Sequence, residues 1–197
     1  MSRYRAKSWR TFDPSAPLAA PAAPRLSTVR RVRILGLDPG SRRTGFGLVD
    51  CDGADSIHVA HGFIAGTGVT LSERLHAIFA GVQALLDKHG PDEVAIERVF
   101  VNRNIDSALK LGHARGAALC AVPRTVPVFE YAPRAIKLAV VGFGGAEKLQ
   151  VAQMVRTLLN LQTRIGADAA DALAVAICHA HSRRVHALTR VRGDARQ

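Results

Sequence analysis

Residues 32–49, VRILGLDPGSRRTGFGLV, set how this chain folds. Val32, Ile34, Leu35 and Leu37 form a short apolar run that reads as a buried strand, and it ends on Asp38-Pro39-Gly40, a dipeptide-turn signal. A Gly-, Ser- and Arg-rich turn follows. Thr44 to Val49 then reads as a second strand, in which Gly45 and Gly47 permit close approach of another backbone. Two strands joined by a tight turn, the first closing on a carboxylate, imply a sheet with an acid at its edge.

Working outward, Ile57 to Ile64 has the composition of a third strand. Leu71, Leu75, Ile78, Phe79, Val82, Leu85 and Leu86 recur at helical spacing, predicting a helix over 71–88 that Gly90-Pro91 stops. Glu93 to Glu97 (EVAIE) is a short strand, Ser107 to Val122 a second helix, and Val126 to Tyr131 a fifth strand. Helices are predicted over 133–140 and 148–159, and an alanine-rich one over 168–183. Three early strands followed by alternating strands and helices specify an α/β chain, a mixed sheet with helices on its faces.

The 197 residues suit one domain, and 48% hydrophobic content is enough for a core. No apolar run reaches the roughly 20 residues needed to span a bilayer, so no membrane association is expected. Cys51, Cys120 and Cys178 are odd in number and scattered, which argues against a disulfide framework and for a reducing compartment. The formal charge is +11, and its placement matters more than its size. Residues 1–31 carry +6 and residues 183–197 carry +4, leaving +1 on the 151 residues between. The expected organisation is a disordered basic Pro/Ala-rich extension over 1–31, a domain over 32–183 and a basic tail over 184–197. An arginine-rich, acid-poor leader also fits an organelle transit peptide, a lesser alternative.

Four carboxylates stand out. Asp38 and Glu97 each end an apolar strand, where an acid is costly without a partner. Asp168 and Asp171 are three apart at the start of a helix, so both project from one side of it. Hard oxygen ligands in this pattern suit Mg²⁺. Two such ions can hydrolyse a phosphodiester. Structural roles fit the same residues singly: a helix first-turn acid for Asp168, a turn for Asp38, an arginine pair for Glu97. Cys178, His179 and His181 do not have zinc spacing, and VVGFGGAEK lacks a phosphate-loop ending, so it reads as a helix–helix connection.

The stretches LGLDPGSRRTGFGLV, AIERVFVNRNIDSALKLGHARG, PVFEYAPRAIKLAVVGFGGAEKLQV and DAADALAVAICHAH, in that order, resemble the RuvC Holliday-junction resolvases over about 34–181. The resemblance implies an RNase H-like fold, a five-stranded mixed sheet flanked by helices. It implies Mg²⁺-dependent symmetric nicking of four-way DNA junctions in recombination and repair, by a homodimer in the bacterial cytoplasm. Two Mg²⁺ per site are implied, with Mn²⁺ as a substitute, and RuvA and RuvB as branch-migration partners. By position it places the acidic tetrad on Asp38, Glu97, Asp168 and Asp171, catalytic lysines on Lys137 and Lys148, and a junction-entering aromatic on Phe100. Arg98, Arg103, Lys110 and Arg115 are candidate DNA-backbone contacts. Three other readings fit the residues less well. An actin- or Hsp70-type ATP binder needs a second phosphate loop that the chain does not repeat. A non-catalytic scaffold would have little reason to keep four acids. An RNA–DNA hybrid nuclease would leave the segment 100–116 and the two lysines unused.

Overall fold

The computed structural model describes residues 31–52, 55–98 and 105–194, with side chains followed to 183. Five strands make one sheet: β1 Val32–Asp38, β2 Arg43–Cys51, β3 Ser56–Ala65, β4 Glu93–Glu97 and β5 Val128–Tyr131. Their spatial order is β3-β2-β1-β4-β5. The pairs β1–β2 and β2–β3 are antiparallel, whereas β1–β4 and β4–β5 are parallel. The mixed five-stranded sheet expected from the sequence is therefore present. Parallel pairing matches Leu37 to Ile96, so Asp38 and Glu97, the next residue of each strand, stand side by side at one edge.

Helices cover both faces. α1 (Leu71–His89) and α2 (Ile105–Ala121) pack Ile78, Val82, Ala114 and Ala118 against Leu35, Leu37, Val94 and Ile96. α3 (Pro133–Val141), α4 (Lys148–Leu158) and α5 (Ala167–Asp194) bury Ile136, Val140, Val151, Val155 and Leu173 against Ile34, Val49 and Ala95. α1 is set by local chemistry. Thr70 and Glu73 exchange the two hydrogen bonds of a capping box, and Gly90 ends the helix in the left-handed conformation (φ 54°).

α5 lies almost on the sheet because small residues face small residues. A Cβ on Gly36 would come within 2.2 Å of the Ala172 carbonyl oxygen, and one on Gly45 within 2.0 Å of that of Asp168. A side chain at either position would lift the helix. Gly45 therefore does more than permit a strand: it lets the backbone carrying Asp168 come down beside the end of β1.

The helices differ from expectation at their ends. α2 starts at Ile105, two residues earlier than predicted, and β5 begins at Val128, after Pro127 has removed a backbone donor. α5 runs on to Asp194, past the predicted end at Arg183. The connection between α3 and α4 is a turn led by Gly142 at φ 80°, as the glycine-rich sequence suggests. Among the described residues no helix is long and apolar enough to cross a membrane.

Candidate active site

The turn after β1 is tied from within. Thr44, fully buried, donates its hydroxyl to the Gly40 carbonyl at 3.1 Å and accepts from the Gly40 N–H at 3.4 Å. That pair fixes Asp38-Pro39-Gly40 and so the direction in which Asp38 leaves the strand. Glu97 leaves β4 alongside it. Asp168 and Asp171, one turn apart on α5, approach from the helix face that Gly45 admits.

The electrostatics show that the four acids form one group. Burial first, then the charges of Glu97 and Asp171, push the Asp38 carboxyl up to about 7, against the pull of Lys148; Asp168 adds a smaller push in the same direction. Burial and Asp171 likewise raise Glu97, offset by Lys148, Lys137 and a hydrogen bond with Asp38. Four oxygen-donor side chains crowd together with too little positive charge around them.

Two cations partly relieve that crowding. The Lys148 ammonium donates to Asp171 at 2.9 Å from an exposed position, and this contact raises the lysine above its ordinary range. Arg43, at the start of β2, approaches Asp168 at 3.8 Å. As the side chains stand, no three acidic, histidine or cysteine groups among the described residues converge on one point. The donor set nevertheless fits a hard divalent cation. It consists of carboxylates alone, two of them hold protons above their usual range, and a lysine occupies the place of positive charge. A cavity of about 230 Å³ opens beside them, lined by Glu97, Asp171, Lys137, Lys148, Pro133 and Ile136 among others.

The structure thus brings together Asp38, Glu97, Asp168, Asp171, Lys137 and Lys148. The described ones among the remaining candidates, Arg98, Lys110 and Arg115, each pair with a carboxylate outside that group. Phe100 and Arg103 lie outside the described residues. Lys110 pairs with Asp106 one turn away on the exposed face of α2. Arg98 sits 3.6 Å from Glu130 on β5. Arg115 turns inward, only 19% exposed. It bonds Glu130 at 2.8 Å and the Glu97 carbonyl at 3.3 Å, so it braces the end of β4.

Two groups were not singled out by sequence. Arg43 was read only as part of a turn. Its Cζ stacks 4.5 Å from the centroid of the Phe63 ring, which no local pattern signals because the two sit on different strands. His179, read only as one of a non-zinc cluster, is buried between the Tyr131 hydroxyl and Glu93, each at 2.6 Å. A histidine set between Cys178 and Ala180 in an alanine-rich helix was the available signal, since a buried imidazole requires partners.

Comparison with known proteins gives concordant results. The family model described as crossover junction endodeoxyribonuclease RuvC matches residues 34–179. The crossover junction endodeoxyribonuclease RuvC of Xanthomonas axonopodis pv. citri is 56% identical over 155 residues, covering 77% of this chain and 88% of that one. The structure of Thermus thermophilus RuvC in complex with Holliday junction substrate superimposes with a TM-score of 0.73 at 36% identity, over 79% of this chain and 96% of that one. The yeast mitochondrial Holliday junction resolvase Ydc2 shares the fold at a TM-score of 0.58 and 15% identity, over 79% of this chain and 81% of that one.

Proposed function

The chain belongs to the RuvC family of crossover junction endodeoxyribonucleases, and from that membership we propose how its residues divide the work on a four-way DNA junction. It is a metal-dependent nuclease of recombination and repair. Asp38, Glu97, Asp168 and Asp171 hold two Mg²⁺ ions, for which Mn²⁺ can substitute. When bound, such a pair supplies an activated water and neutralises the leaving oxygen of the phosphodiester. The observation that carries this reading is the placement of the four acids: the parallel register sets Asp38 beside Glu97, and α5 lies close enough on Gly45 to bring Asp168 and Asp171 down to them.

The chain's own groups do the rest. Lys148 releases Asp171 and, with Lys137, turns its charge toward the scissile phosphate from the wall of the cavity. Both ammonium groups stabilise negative charge as it gathers on the phosphate oxygens. Phe100, three residues past Glu97, stacks on a base exposed by the opened junction, an interaction of about 1–3 kcal/mol. Arg98, Arg103 and Lys110 contact the DNA backbone. Arg115, also a candidate contact, holds Glu130 and the Glu97 carbonyl in place.

Paired nicks in a two-fold junction call for two copies of the site. α2 supports a homodimer: Ile105 is 69% and Leu109 59% exposed one turn apart, an apolar stripe that the described residues leave uncovered. Residues 32–183 form the nuclease domain. The segments 1–31 and 184–197 supply general attraction to DNA in the bacterial cytoplasm, where RuvA and RuvB would present the junction. The test is a synthetic four-way junction with Mg²⁺. Wild-type protein makes paired, symmetric nicks. Asp38→Asn binds the junction with similar affinity and does not cut it, because phosphate contacts survive the loss of the metal site. Failure of the wild type to nick, or cutting by Asp38→Asn, overturns the reading.

A further inference from the structure

The cations that flank the acid cluster are of two kinds. Lys148 reaches Asp171 from a flexible stem, 81% exposed. Arg43 is braced instead. Its guanidinium lies over the ring of Phe63, a residue 49% exposed on the edge strand β3. The pairing register explains the contact. Gly45 faces Phe63, and Arg43, two residues before Gly45, lies diagonally across from it on the same face of the sheet. That face is the one on which α5 brings down Asp168. An exposed large aromatic at this position has no core to fill, but it gives the arginine a fixed platform.

A guanidinium held over a ring by its face keeps N–H donors free at its edge, where they can meet a phosphate's oxygens. Here one edge is turned to Asp168 at 3.8 Å, with the arginine side chain 62% and the aspartate 39% exposed. An ion pair that long and that wet contributes little. Arg43 is therefore free to exchange Asp168 for another anion without a large penalty. The group that comes to this edge of the cluster in a nuclease is the DNA backbone.

We propose that Arg43, braced by Phe63, is a phosphate-binding residue that grips the DNA strand on the Asp168 side of the site, opposite the lysines. The proposal rests on the assignment of the acid cluster as a DNA-cutting centre. It adds a second phosphate contact, across the acids from Lys137 and Lys148, so that the strand is held on both sides of the bond to be cut. Phe63 acts through Arg43 and is a positioning residue.

The experiment compares wild type, Arg43→Gln, Arg43→Lys, Phe63→Leu and the Arg43→Gln/Phe63→Leu double variant on a four-way junction. Affinity is read with Ca²⁺ replacing Mg²⁺ across a salt series, and cutting is read with Mg²⁺ at saturating enzyme. Arg43→Gln is expected to weaken binding about tenfold and to flatten the slope of log K against log salt by about one unit. Cutting from the bound complex at saturating Mg²⁺ also slows, because the strand is then held on only one side of the bond to be cut. Arg43→Lys keeps the slope but regains only part of the affinity, because an ammonium has no planar fork. Phe63→Leu weakens binding about threefold, and the double variant is no worse than Arg43→Gln alone. An unchanged affinity and salt slope in Arg43→Gln overturns the proposal, as does an altered metal requirement as its sole effect, which would make the arginine a mere neutraliser of Asp168. If wild type itself neither binds nor cuts the junction, the nuclease reading fails and this proposal with it. If wild type cuts and Arg43→Gln matches it, the proposal alone fails.

Discussion

Glu93 and Glu97 are the two ends of one five-residue strand, and their surroundings are opposite. Glu93 accepts from the His179 ring and from the Arg183 guanidinium, both at 2.6 Å, and His179 is in turn bonded to Tyr131. Its charge is matched by groups on α5 and tied through them to β5. Glu97 faces Asp38 and Asp171; burial and the Asp171 charge raise its proton affinity, against the two lysines and a hydrogen bond with Asp38. The residue type, strand and depth are alike; only the neighbours differ. A partly buried carboxylate among donors holds a fold together, whereas one among other carboxylates is kept for a ligand that supplies the missing charge.

The sharpest way to break this comparison is to neutralise each glutamate in turn. Glu97→Gln should reduce junction cutting by about 10³-fold or more while leaving the metal-free protein as stable as wild type, since it removes a repelled charge. Glu93→Gln should do the reverse. It gives Arg183 and His179 a neutral amide oxygen in place of a charged acceptor and should lower stability by about 1–3 kcal/mol, read by urea or thermal unfolding, with cutting by the folded protein nearly unchanged. Similar losses of activity from both substitutions would erase the distinction.

A smaller effect is expected in pH. The Asp38 carboxyl, ordinarily ionised near 3.8, keeps its proton to about 7 in the folded chain. The folded form binds that proton more tightly than the unfolded chain does. The stability it contributes is therefore full below about pH 4 and is lost as pH rises to about 7. Thermal melting in EDTA should fall on the order of 5 °C across that window. With saturating Mg²⁺ the trend should reverse, because the ion displaces the proton and gains affinity as Asp38 ionises. Parallel curves with and without Mg²⁺ would separate Asp38 from the metal.

Much of this was legible in the sequence where chemistry is local. The strand EVAIE has the bounds expected of it because Gly90-Pro91 closes the segment before it and its own ends are charged. The four acids could be picked out because an acid ending an apolar run is unusual in itself. Their common charge field could not be read, because it depends on the parallel register of β1 with β4 and on how closely α5 lies on Gly36 and Gly45. Arginine was the least legible type. Arg115 has the same composition signal as a phosphate contact, yet it is bonded inward to Glu130; Arg43 was absorbed into a turn, yet it stands at the edge of the acids. α5 outran its expected end because the basic residues after Arg183 were read as a tail, although nothing in VHALTRV breaks a helix.

The measurement closest to the central claim is direct binding of Mn²⁺ to the protein alone at pH 8, comparing wild type with the two glutamate variants. Saturable binding by wild type and by Glu93→Gln, lost or weakened at least tenfold in Glu97→Gln, is what an acid cluster at the ends of β1 and β4 predicts. Equal binding by Glu97→Gln and wild type would contradict it, and would place the metal away from these carboxylates.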